Sequence, residues 1–293
     1  MKAIFKGCAT ALATPFKDNK FDANAYAKLI EYQLENGVSA LVACGTTGEP
    51  STLSSTEWAK VIEACIKQVN GRVPVIAGTG SNNTTQVIEK AQEAKRLGAD
   101  AQLIVTPYYN KTTQEGLIAH FSIIAEKTEL PIIVYNVPSR TGMTISADTV
   151  GKLSKIDNIV AVKEATSDMA LEADMMVACD NKLHFYSGSD ETVVPFMSIG
   201  GLGVISVVSN VAPKITSDMT GAMLNGAYKY AASLQLKLMR LIRLLFSKVS
   251  PIPLKAALSL IGICENKVRL PLIPMTESEM EPLKQCLKEL NLI

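Results

Sequence analysis

The sequence predicts a closed (β/α)8 barrel, a TIM barrel, followed by a C-terminal helical extension. Three observations predict it. Eight short apolar, β-branched runs recur along the chain with helix-like segments between them. The runs are continuously apolar rather than alternating, as strands covered on both faces are. The first six are spaced by roughly 30 residues, the length of a βαβ unit. A doubly wound open sheet is the alternative, but its G-x-G-x-x-G turn after the first strand is missing, and eight near-regular repeats fit closure better.

In chain order the runs are GCATALATPF from Gly7, ALVACGTTG from Ala40, VPVIAGTGS from Val73, AQLIVTPYY from Ala101, PIIVYNVPS from Pro131, IVAVKEAT from Ile159, HFYSGSD from His184 and GVISVVSN from Gly203. Helix starts are legible between them. Ser54 with Glu57, Thr112 with Glu115 and Asn83 with Gln86 each place a capping side chain three residues before a reciprocating one. Beyond about Asn225 the strand pattern stops, and Leu234, Leu238, Leu241 and Leu245 fall at the spacing of a helical packing seam. Lys237, Arg240, Arg243 and Lys248 read as the solvated face of that helix rather than as a basic patch. Pro251 and Pro253 then break it, and Thr276 with Glu279 caps a last helix. The chain therefore divides into a catalytic barrel over residues 1–224 and a helical domain over residues 225–293.

Composition narrows the class of function. Hydrophobic residues make up 47% and charged residues 19%, enough apolar surface for a large core and too much for a disordered or fibrous chain. Lysine and arginine total 29 against 28 acids, with no block of like charge, so neither nucleic acid nor an anionic membrane surface is the expected partner. A small molecule is. The six cysteines are scattered without a C-x-x-C pair, and His120 and His184 lie far apart, which argues against a zinc site and a disulfide framework. The longest apolar run, around Gly203 to Ala212, is far below the ~18–20 residues that span a bilayer, and no leader-cleavage pattern is convincing. A cytoplasmic protein is expected.

Chemistry is sought at the C-terminal ends of the strands, where barrel active sites sit. Lys163 ends the apolar run Ile159-Val160-Ala161-Val162. It is either a strand-end lysine that snorkels to solvent or pairs with Glu164, or a nucleophilic amine. An ordinary lysine is only about one part in 2,500 neutral at pH 7, and burial in a strand is one way to offset that handicap. The segment Cys44-Gly45-Thr46-Thr47-Gly48-Glu49 puts two hydroxyls and two glycines at the end of the second strand, suited to a carboxylate or to relaying a proton. A plain turn is the other reading. Tyr135 and Arg140 stand five residues apart after the fifth strand, a phenol that moves protons and a guanidinium that clamps a carboxylate. Tyr108 and Tyr109 after the fourth strand are rim aromatics unless the mouth recruits them. Cys44 reads as a buried inert thiol.

Taken together, GTTGE at Gly45, TPYYN at Thr106, YNVPSRTG at Tyr135 and VAVKEAT at Val160 resemble the signatures of the dihydrodipicolinate synthases, over the whole length of the chain. The resemblance implies that Lys163 forms an imine with pyruvate and that the derived enamine adds to L-aspartate 4-semialdehyde, the first committed step toward diaminopimelate and lysine. It implies no metal and no organic cofactor. It gives Tyr135, Thr46 and Tyr109 a proton relay, with Tyr109 reaching into a neighbouring subunit, so that a homodimer is required and a homotetramer is expected. It gives Thr46 and Thr47 the pyruvate carboxylate, Arg140 the semialdehyde carboxylate, and Gly188 and Ile205 a backbone lining of the pocket. Asn82 and Tyr108 match a regulatory lysine site, but lysine-inhibited members carry histidine in place of Ser55 and commonly glutamate in place of Gln86. Feedback inhibition by L-lysine is therefore expected to be weak or absent. The rival readings are an N-acetylneuraminate lyase or a 2-keto-3-deoxy-sugar-acid aldolase, which share the lysine and the phenol, and an inactive barrel that only binds a 2-oxo acid.

Overall fold

The computed structural model describes residues 3–293; residues 1 and 2, the start of the predicted barrel segment, lie outside it. Eight parallel strands close on themselves: β1 Gly7–Ala11, β2 Ala40–Ala43, β3 Val75–Gly78, β4 Ala101–Val105, β5 Ile132–Asn136, β6 Ile159–Glu164, β7 His184–Ser187 and β8 Gly203–Ser206. Each strand pairs with the next in sequence, and Gly7 of β1 opposite Gly203 of β8 closes the ring. The chain is a (β/α)8 barrel, and each of its strands lies within one of the eight apolar runs.

Strand burial explains why apolarity was continuous. Alternate side chains face either the helices or the barrel interior, and both environments are dry. In β5, Ile132 and Val134 join the core beneath the helices with Phe121, Val150 and Ile159, whereas Ile133 and Tyr135 join the interior with Ile76, Leu103 and Ile205.

The barrel helices are α1 Ala23–Glu35, α2 Ser55–Val69, α3 Thr84–Leu97, α4 Gln114–Lys127, α5 Ala147–Leu153, α6 Met169–Ala178, α7 Val193–Ser198 and α8 Pro213–Leu224. Ser54 and Glu57 form the expected capping box on α2. Two other caps differ from expectation. Helix α4 is capped by Thr113, whose hydroxyl accepts from Gly116 N, and not by Thr112. Asn83 does cap α3, but Gln86 does not reciprocate, because its side-chain oxygen accepts from Ser81 Oγ at 3.0 Å.

Three more helices follow, α9 Tyr228–Leu245, α10 Ile252–Leu260 and α11 Glu277–Glu289. Leu238, Leu241 and Leu245 of α9 are fully buried and Leu234 partly so, in one core with α8, α10 and α11. Arg240 pairs with Glu289 and Lys248 with Glu279, so part of the basic face is tied to α11 rather than simply solvated. Such exposed pairs contribute at most ~1 kcal/mol each. Helix α9 has already ended at Leu245 when the prolines arrive. Pro251 and Pro253 instead start α10, where a proline's missing N–H costs nothing. Among the described residues no helix is long and apolar enough to cross a membrane.

Candidate active site

A register irregularity decides where Lys163 points. Strand β6 pairs with β5 through Ile132 opposite Ile159 and then Ile133 opposite Ala161, leaving Val160 as an extra residue. Side chains alternate with a period of two, so one inserted residue flips every later side chain to the other face. Ile159 faces the helices; without the extra residue Lys163 would do the same. With it, Ala161 and Lys163 turn inward, beside Tyr135, which is paired with Lys163 in register. The Lys163 side chain does not snorkel: the residue is 4% exposed, with Nζ 4.2 Å from the centre of the Tyr135 ring.

Nor does it pair with Glu164. That residue faces outward, where Asn136 Nδ2 donates to its Oε2 at 2.7 Å and Thr166 N to its Oε1 at 2.7 Å. Burial raises the Glu164 carboxyl above the usual range, and these bonds oppose the shift. Asn136 Oδ1 also accepts from Ile145 N at 3.1 Å, which anchors the loop after the Arg140 turn. The strand-end motifs therefore alternate in purpose, with Tyr135 and Lys163 inside and Asn136 and Glu164 bracing them from outside.

Two adjoining cavities, of about 360 and about 300 Å³, open at the C-terminal ends of the strands and share Thr46, Tyr135, Val137, Arg140 and Ser250. Lys163, Thr47, Gly188 and Asp190 line the smaller one; Tyr108 and Lys90 line the larger. The structure thus brings together Lys163, Tyr135, Thr46, Thr47, Arg140 and Gly188. It does not bring Tyr109 to them. That side chain is 94% exposed, on a backbone at φ +67°, and among the described residues no hydrogen bond joins Tyr135, Thr46 and Tyr109. Ile205 is buried in the barrel interior beneath the mouth, and Val207 stands at the cavity instead. Asn82 sits just before α3, its carbonyl accepting from Asn110 Nδ2 at 3.0 Å.

Gly188 is required by close approach. A Cβ there would stand 3.0 Å from Lys163 Cε, 2.7 Å from the Ala165 Cβ and 3.0 Å from the Glu164 carbonyl oxygen. We expect Gly188→Ala to displace the Lys163 amine and to lower kcat by roughly 10²-fold, the effect of an ångström's misplacement, in a protein that still folds. Steady-state rates beside a far-ultraviolet circular dichroism spectrum check this; a wild-type kcat would show that the lysine has room to spare.

One buried acid was missed by sequence reasoning. Asp190 is 3% exposed, and its Oδ2 accepts from Val207 N and Val208 N, each at 2.9 Å. Burial raises its carboxyl, and the Ser206 hydroxyl, the two N–H groups and the charge of Lys163 oppose this. The run HFYSGSD contained it, but a serine and an acid after a strand look like any turn. Cys44 fits the inert reading, since burial pushes its thiol well up.

A closed parallel barrel with a buried lysine facing its mouth defines the class, a (β/α)8 barrel with its candidate active site at the C-terminal ends of the strands. Residues 4–290 match the Dihydrodipicolinate synthetase family, and the chain belongs to it. It is 47% identical over 292 residues to the 4-hydroxy-tetrahydrodipicolinate synthase of Acetivibrio thermocellus, covering 100% of this chain and 99% of that one. Among solved structures it is similar to the Thermotoga maritima dihydrodipicolinate synthase, with a TM-score of 0.97, 41% identity, and 99% and 100% of the two chains covered. It is also similar to the chloride-inhibited enzyme of Acinetobacter baumannii complexed with pyruvate, with a TM-score of 0.96, 45% identity, and 98% and 99% covered.

Proposed function

We propose that the chain condenses pyruvate with L-aspartate 4-semialdehyde to 4-hydroxy-tetrahydrodipicolinate through an imine on Lys163. The observation that carries this is the inward-facing, buried Lys163 amine over Tyr135, in a cavity shared with two threonines and an arginine. Similarity to a solved relative complexed with pyruvate supports the first substrate. The Lys163 nitrogen adds to the keto carbon of pyruvate and water leaves, giving the imine. Loss of a methyl proton gives the enamine, whose carbon attacks the aldehyde and forms the new carbon–carbon bond. The amine of the semialdehyde portion then attacks the imine carbon, closing the ring and expelling the lysine.

Tyr135 serves as acid and base near the imine, with Thr46 linking it to Tyr109. Thr46 and Thr47 hold the pyruvate carboxylate, Arg140 that of the semialdehyde, and Gly188 lines the pocket beside the lysine, with Val207 at the cavity where Ile205 was expected. No cofactor enters the sequence of steps. The relay needs a second copy of the chain to bring Tyr109 in, and two properties of Tyr109 support that reading. A bulky side chain almost fully in water gains nothing from being there, and a left-handed backbone costs a tyrosine of order 1 kcal/mol or more. The assembly we infer is a tetramer of two such dimers, in the cytoplasm. Arg140 at the mouth favours a carboxylate-bearing acceptor over the polyol acceptor of a sugar-acid aldolase.

The test is borohydride reduction with pyruvate and peptide mapping, beside rate assays with the semialdehyde and with N-acetylneuraminate. A label on Lys163 and preference for the semialdehyde are expected; no label sinks the mechanism, and turnover of N-acetylneuraminate instead sinks the acceptor. L-lysine is expected to leave the rate unchanged at sub-millimolar concentration, because a lysine bound near Asn82 and Tyr108 lacks the histidine and glutamate that Ser55 and Gln86 replace. Half-maximal inhibition in that range, measured at fixed pyruvate, overturns this.

A further inference from the structure

The turn that carries Thr46 and Thr47 is short. It is a single 3-10 turn, Thr46–Gly48, closed by Gly48 N to Gly45 O at 2.8 Å and Glu49 N to Thr46 O at 3.2 Å. Two such bonds give little rigidity of their own. Glu49 ends the turn in the left-handed region, at φ 52°, and is 4% exposed. A buried carboxylate persists only if other groups supply charge and hydrogen bonds.

Those groups come from the helical tail. Lys255 of α10 places Nζ 2.6 Å from Glu49 Oε1, both side chains almost fully buried, and Arg269 N donates to Oε2 at 3.0 Å. Phe16 serves as a common floor, its ring centre 3.9 Å from the Lys255 amine and 4.3 Å from the Arg269 guanidinium. Arg269 grips the barrel again through Glu57, at 2.6 and 3.0 Å, and through the Thr52 carbonyl at 2.8 Å. The same tail touches the other carboxylate-binding group, for Arg140 Nη2 donates to Ser250 O at 3.0 Å.

We propose that Glu49 and Lys255 are positioning residues for pyruvate: the buried pair locks the tail to the mouth and thereby fixes the direction of the Thr46 and Thr47 hydroxyls. A buried ion pair is a poor choice for stability alone, because desolvation cancels most of the attraction, and apolar replacements of the pair are often neutral. What it imposes is geometry. The pair is applied at the last residue of the turn whose side chains bind substrate, so an error there moves both hydroxyls. The inference rests on the reading that Thr46 and Thr47 hold the pyruvate carboxylate.

The test uses Glu49→Gln, Lys255→Met and the double variant, with kcat, KM for each substrate, and the pyruvate concentration that half-saturates borohydride trapping. Expected are a rise of about tenfold in pyruvate KM and in trapping half-saturation, the effect of one misaligned hydrogen bond to a charged group, with semialdehyde KM and kcat little changed. Either single variant leaves an uncompensated buried charge and can lose its fold. The double variant leaves none, and is expected to melt near the wild-type temperature while keeping the raised pyruvate KM. A folded double variant with wild-type pyruvate KM overturns the proposal, as does an equal rise for both substrates or a fall in kcat alone. Failure of the underlying reading is distinguishable, since threonines that held the semialdehyde instead would raise its KM alone in the folded double variant, and without an imine wild-type protein would take no label at all.

Discussion

Lys163→Ala removes all borohydride-dependent labelling by pyruvate and lowers turnover by on the order of 10⁴- to 10⁶-fold, the scale seen when a covalent nucleophile is deleted. The size follows from what the amine alone supplies. On the proposed mechanism the imine is the electron sink for the methyl protons of pyruvate, so without it the enamine does not form. Among the described residues that line the smaller cavity, no other amine substitutes for Lys163. Tyr135 is a phenol, Glu164 is turned outward and bonded to Asn136 and Thr166, and Asp190 is a carboxylate, which cannot form an imine. The shape of the pocket should survive, because the truncated side chain leaves space at the cavity rather than a void deep in the core. Mass spectrometry of the reduced, pyruvate-treated variant, beside a coupled rate assay, checks both parts. Residual labelling at another lysine, with turnover retained, would move the chemistry elsewhere.

The barrel was legible because a parallel sheet covered on both faces leaves an unambiguous trace, runs without alternation, as in Ile132-Ile133-Val134. The depth of Lys163 was not legible. A lysine at a strand end reads the same whether it faces in or out, and the deciding feature is the single extra residue, Val160, which exists only in the pairing with β5. The caps show the same limit. Glu57 three residues on selects Ser54 over its neighbours Ser55 and Thr56, but the same cue at Glu115 selects Thr112, and only the backbone path shows that Thr113 is the cap. The mouth residues were found through short motifs at strand ends, but Asp190 and the Glu49–Lys255 pair were not. Their partners lie far away in sequence, and no local pattern announces a contact between a barrel turn and a helical tail. Tyr109 is the opposite case, since the motif marks it while the single chain leaves it in water.

Arg140→Ala leaves pyruvate labelling of Lys163 intact and lowers kcat/KM for the semialdehyde by roughly 10- to 150-fold, the equivalent of a lost charge-assisted contact of about 1.5–3 kcal/mol. The separation of effects follows from geometry. Arg140 stands in the short helix Pro138–Thr141 after β5, whose first residue is a proline with φ preset for a helix. Its Nη2 donates to Ser250 O at 3.0 Å, which commits a single N–H of five. The remaining donors are available at the rim shared by both cavities. A carboxylate arriving on the second substrate meets a guanidinium that is already anchored, so little ordering is lost on binding. Pyruvate is smaller and, on the proposed assignment, held by the threonine turn, so its labelling should not register the loss of Arg140. Arg140→Lys tests the fork itself: it restores the charge without the bidentate geometry, and should recover only part of the lost kcat/KM. If the alanine variant used the semialdehyde as well as wild type, the acceptor would not be clamped here. If it lost pyruvate labelling instead, the two carboxylates would have to exchange sites, with Arg140 holding the first substrate and the threonine turn the second.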